Sequence, residues 1–168
     1  MKKIICILAI ALMSATSFAQ SVFDQLENMD GVSSVIVNKD AFELFSKFNP
    51  SGDNEAVQIF SMIQQLKELR FFKSNDSKVA AKMEAMVVKT VKKFKMTELM
   101  RAKDKGARVR IYVRAGKKKD FVDEVLMFIK GVDASVKTAG GVEAVIVSLT
   151  GVIDVNKLSD IADAVSNK

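Results

Sequence analysis

Residues 108–131 read RVRIYVRAGKKKDFVDEVLMFIKG, and the fold turns on them. Val109, Ile111, Val113 and Ala115 alternate with Arg108, Arg110, Tyr112 and Arg114, the period of two that a half-exposed strand requires. Gly116 to Asp120 break the alternation with three lysines, and FVDEVLMFIK, from Phe121 to Lys130, is long and apolar enough to return as an antiparallel partner. After a glycine-containing connection over 131–141, VEAVIVSL adds another strand, so this region reads as a three-strand antiparallel meander.

Upstream, the same periodicities give the remaining elements. SVFDQLENM places Val22, Leu26 and Met29 at helical spacing and stops at Gly31, and SSVIVN, residues 33–38, is a short β-branched strand. Asp40 is the expected N-cap of AFELFSKF, whose Phe42, Phe45 and Phe48 form one stripe before the break at Pro50. DNEAVQIFSMIQQLKEL, residues 53–69, aligns Ala56, Ile59, Phe60, Ile63 and Leu66 on one helical face, and LRFFK, residues 69–73, follows as a buried strand. Asp76 is placed to cap a long helix reaching about Lys95, with Val79, Met83, Met86, Thr90, Val91 and Phe94 inward and lysines outward. TELMRAK, residues 97–103, extends this as one or two more helical turns, and Asp154 caps a closing helix, VNKLSDIADAV. The sum is an α+β domain: two layers, a mixed β-sheet carrying the C-terminal three-strand antiparallel meander, and helices packed on one face.

The first residues, MKKIICILAIALMSATSFAQ, join a Lys2–Lys3 start, an apolar run and small residues up to Ala19, the pattern of an export signal cleaved after Ala19. Cys6 lies inside the apolar run and not at its end, which argues against lipoprotein processing. Residues 1–19 are therefore assigned as signal peptide and 20–168 as one α+β domain, exported to the periplasm or beyond, with no transmembrane segment in the mature chain. Removing the first 19 of 168 residues leaves 149, a size for one core.

The mature chain has no Cys, His or Trp, which excludes disulfide frameworks, thiol or imidazole nucleophiles and zinc sites of the usual ligand set. Without Lys2 and Lys3 the 26 basic residues become 24 against 20 acidic ones, net +4. Such a balance favours weak attraction to anionic surfaces, and export removes nucleic acid as a partner.

The candidate binding residues are Arg108, Arg110, Tyr112 and Arg114 on one strand face, with Lys117 and Lys118 of the turn. A ladder of guanidinium groups at about 6.5 to 7 Å per step suits carboxylates, phosphates or sulfated sugars. The competing account is an outer face kept wet by arginines paired with Asp123 or Glu143 across neighbouring strands. Gly116–Lys117 is not a phosphate loop, since Ile111 stands where a glycine is needed and Lys118 where a Ser or Thr should hold magnesium. Asp120, Asp123, Glu124, Glu143, Asp154, Asp160 and Asp163 offer carboxylates without a spacing that demands acid–base work. SGDNE, residues 51–55, lacks the wider pattern of a calcium loop. No catalytic residue, cofactor or metal is assigned.

GVSSVIVNKDAFELF, TELMRAKDKGARVRIYVRAGKKKDFVDEVLMFI and VEAVIVSLTGVIDVNKLSDIA, taken with the export signal, resemble the domain of unknown function 4252, exported small proteins and lipoproteins of Gram-negative bacteria. The resemblance runs from about Ser21 to Val165 and departs from the lipoprotein members in having no cysteine at the cleavage point. It implies compartment and fold, and brings no catalytic residue or ligand. The function expected from the residues is a non-enzymatic binding or accessory module of the cell envelope that engages a protein or an anionic surface through its cationic sheet face. A hydrolase or isomerase working with carboxylates and Tyr112 is the alternative from another class. A third reading, an accessory linked to envelope stress or a sigma factor, comes from the family association alone.

Overall fold

The computed structural model describes residues 22–47, 65–104, 106–132 and 141–155. They form α1 (Asp24–Glu27), β1 (Ser33–Asn38), α2 (Lys39–Ser46), β2 (Leu66–Ser74), α3 (Ser77–Phe94), β3 (Thr97–Asp104), β4 (Ala107–Ala115), β5 (Phe121–Val132) and β6 (Val142–Asp154). The segment expected to be an export signal, Phe48, residues 53–64 of the helix expected over 53–69 and the closing helix beyond Val155 lie outside the described residues, while Leu66 to Leu69, expected at the end of that helix, instead begin β2, where pairing with β1 and β6 outweighs the helical periodicity.

One six-stranded sheet runs β1-β2-β6-β5-β4-β3. Every neighbouring pair is antiparallel, so the α+β class stands while the sheet is not mixed. The expected meander gains a strand because Thr97–Asp104 is β3, paired with β4, and not a helical extension. Its Glu, Leu, Met, Arg, Ala and Lys favour a helix locally, but Lys95 ends α3 in the left-handed region at φ 50°, and the reversal delivers the next residues to the free edge of β4. The ladder then outweighs propensity.

Helices cover both faces rather than one. On the first, α1 and α3 bury Phe23, Leu26, Val79, Met83 and Val87 against Phe72, Tyr112, Leu126, Phe128 and Ile146 of the sheet. On the second, Phe42 of α2 packs with Leu66, Val113, Val122, Val125 and Ile153. Alternation explains the arrangement: β4, β5 and β6 carry apolar side chains at both parities, so neither face is left to water.

Local caps divide between reading and correction. Asp76 accepts from Lys78 N at 2.7 Å and from Val79 N at 3.0 Å, as its position implied. Asp40 does not cap α2; the Asn38 side chain does, accepting from Ala41 N at 3.1 Å, because the helix already starts at Lys39. The two backbone donors hold the Asp76 carboxyl below its usual range. Stability from a depressed carboxyl is present above its unfolded pKa and fades as pH falls through the folded one. Asp76→Ala is accordingly expected to lower Tm by a few degrees at neutral pH, with the gap to wild type closing in acid, as thermal unfolding across pH will show.

Candidate functional site

Position along β4 separates the six candidate residues. Tyr112 is 6% exposed and belongs to the core beneath α3, so the face read as outward is the one the long helix covers. Arg108 and Arg110 stand on one side of it, opposite Lys130 and Phe128 of β5. Lys130 donates to Glu84 of α3 at 2.6 Å, and that hydrogen bond, with Arg108 and Arg110 adding their charge, holds the Glu84 carboxyl below its ordinary range despite partial burial. Neither Asp123 nor Glu143 supplies the expected arginine partner: Arg114 pairs with Glu124, at 3.5 Å.

On the other side of Tyr112, Arg114, Lys117 and Lys118 come together. They line a cleft of about 470 Å³ with Lys67, Phe121, Asp123, Thr150, Gly151 and Val152. The sheet register builds it. Glu68, Thr150, Glu124 and Arg114 are successive cross-strand neighbours on β2, β6, β5 and β4, which carries Arg114 towards the start of β2. There the β2–β6 pairing slips between Leu66 and Glu68. Val152 N donates to Gln65 O at 3.1 Å, and Gly151 lets the two backbones close. Opposite, Gly116 N donates to Phe121 O at 3.0 Å and closes the lysine turn.

Four cations thus surround one cleft that contains a single carboxylate, Asp123. Lys67, Lys117 and Lys118 form no ion pair within the described residues. Lys118 Nζ stands 6.0 Å from the centre of the Phe121 ring, and the Arg114 guanidinium carbon 5.5 Å from that of Phe94 at the end of α3. Aromatic faces keep both cations near the opening without neutralising them.

Behind the cleft lies a second polar layer. Glu124, 7% exposed, accepts from the Ser148 hydroxyl at 3.3 Å and faces Arg114. Burial pushes its carboxyl above the usual range, and the Arg114 charge and the Ser148 hydrogen bond offset only part of that. Arg70, the next cation on this face, is held by Glu68 at 2.7 Å and by Asp24 of α1. Among the described residues no three acidic groups stand close enough to hold a metal ion.

The sequence profile of a family described as Domain of unknown function (DUF4252) matches residues 24–161, most of the chain. The chain belongs to that family. No curated protein and no solved structure matches it. The matched span of this DUF4252 chain includes every residue that lines the cleft. No helix among the described residues is long and apolar enough to cross a membrane.

Lys67, Thr150 and Gly151 were not singled out from sequence. Only Gly151 carried a signal, since a glycine inside a strand marks a bulge or a close backbone approach. Lys67 has none, because its place in the cleft depends on β2 pairing with β6, about 80 residues further along the chain.

Proposed function

We propose that this DUF4252 chain is an exported, non-enzymatic binding module of the cell envelope that captures an anionic group in the Lys67–Arg114–Lys117–Lys118 cleft. The observation that carries the reading is the convergence of four cations from β2, β4 and the β4–β5 turn on one concave surface with one carboxylate. Arginine supplies a planar pair of donors, and the lysines supply mobile charge at the rim. Phe121 and Val152 add apolar wall, so the group captured is an acidic head on a larger molecule. Signal-directed export places that molecule outside the cytoplasm.

Calorimetric titration with inorganic sulfate tests the reading. Wild type is expected to bind saturably, and Lys67→Ala/Lys117→Ala/Lys118→Ala to bind at least about tenfold more weakly with an unchanged circular dichroism spectrum. Equal affinity in the two proteins would show that the cleft is not the anion site.

A further inference from the structure

We propose that capture of an anion in this cleft is coupled to uptake of a proton by Glu124, because Glu124 and the bound anion compete for the same guanidinium, that of Arg114. This rests on the cleft being an anion site and adds what controls it. Arg114 belongs to both environments: it lines the cleft, and its Nη2 lies 3.5 Å from Glu124 Oε2. That separation exceeds the 2.7–2.9 Å or so of a close charge-assisted hydrogen bond, so the pair is loose. The buried Arg114 Nε makes no hydrogen bond among the described residues, which leaves a donor on this side chain uncommitted.

The surroundings of Glu124 make its ionised form the one that an incoming anion would displace. From β4 it faces Arg114; from β6, Ser148 donates to it and Thr150 is its cross-strand neighbour. On β2, Glu68 adds a second negative charge nearby, and Arg70, which offsets it, is already held by Glu68 and Asp24. Phe94 of α3 contributes a ring beside Arg114 and no charge. Asp123 of the same strand lines the cleft itself. An anion drawn onto Arg114 removes the one cation facing Glu124 that is not already committed, and places a further negative charge close by. A carboxylate buried at 7% exposure then meets both changes by binding a proton from solvent at a carboxyl oxygen. With no histidine in the chain, a carboxyl already raised by burial is the side chain able to respond above the ordinary carboxylate range.

Linkage sets the sign. Because the bound form holds an extra proton, affinity rises as pH falls, by at most about tenfold per pH unit for one proton. Sulfate is the probe, since its charge is constant over this range. Titration of the full mature chain in two buffers of different ionisation enthalpy, at about pH 7.5 and about pH 5, counts the protons directly in wild type. The expected result is fractional to full uptake of one proton at the higher pH, and tighter binding at the lower. Glu124→Gln keeps the Ser148 contact and is expected to bind at both pH values as wild type does in acid. Sulfate binding with no proton uptake, or with the same pH dependence in Glu124→Gln, overturns the coupling and leaves the anion site standing. Absence of sulfate binding in wild type and Glu124→Gln at both pH values overturns the site and the coupling together.

Discussion

Phe72→Ala should cost about 3 to 4 kcal/mol of folding stability, the loss associated with deleting a fully buried ring, and lower Tm by roughly 10 °C. The side chain is 0% exposed in the middle of β2. Its ring lies 6.2 Å from that of Phe23, tilted by 40°, and Ile146 is its cross-strand neighbour on β6. The same cluster holds Val79 and Met83 of α3, so Phe72 joins the short first helix, the long helix and the centre of the sheet. Truncation leaves a void that these three elements cannot close together, because β2 is pinned on both sides by its ladders. Val35→Ala, on the neighbouring edge strand with a side chain 55% exposed, is the control and should change stability by less than about 0.5 kcal/mol. Urea unfolding of the two variants decides the matter. Comparable midpoints would mean that α1 and α3 do not meet the sheet over Phe72.

What the sequence made legible was what depends on near neighbours along the chain. SSVIVN is β1 from end to end, and Asp76 caps α3 through the two backbone donors its place before Ser77 makes available. The alternation in RVRIYVRA is the β4 ladder. Alternation, however, reports which side chains share a face and not what lies over it. Tyr112 among arginines reads as a wet face, yet α3 packs there, with the arginines spread to either side of the buried ring. Thr97–Asp104 misled for a related reason: its helix-forming residues are overruled by a strand that waits with an unpaired edge.

The candidate site divides along the same line. Arg114, Lys117 and Lys118 were visible as charge in one turn and the strand before it, and the cleft unites them. Arg108 and Arg110 share their parity but not their destination, since Lys130 and Glu84 occupy the space beside them. Glu124 stood among the seven carboxylates named from sequence, with nothing to mark it as the partner of Arg114. Asp123 or Glu143 was the expected partner of the arginines, but the register that sets Arg108 against Lys130 and Tyr112 against Leu126 also sets Glu124 opposite Arg114. The ladders slip only beyond that pair, so Asp123 has no cross-strand partner in either ladder and lines the cleft, while Glu124 keeps the regular register and is buried.

Gly151→Ala is expected to cost about 2 to 3 kcal/mol and to weaken sulfate binding at the cleft, a combined loss that no lysine substitution there would produce. Gly151 adopts φ +151°, and a Cβ on it would stand 2.5 Å from Gln65 O and 2.8 Å from Leu66 Cα. Both contacts are backbone, so relief requires the start of β2 to move away from β6. That movement breaks the Val152 N to Gln65 O hydrogen bond and carries Lys67 out of the ring of cations. Gly106→Ala separates strain from crowding: its φ is +97°, but nothing lies within 4 Å of the added atom, and its cost should stay near 1 kcal/mol with sulfate binding unchanged. Urea unfolding and sulfate titration of both variants give four numbers. Loss of stability in Gly151→Ala with full sulfate affinity would detach Lys67 from the cleft. Wild-type stability in that variant would mean that β2 does not approach β6 where its register slips, and the cleft would then have no floor.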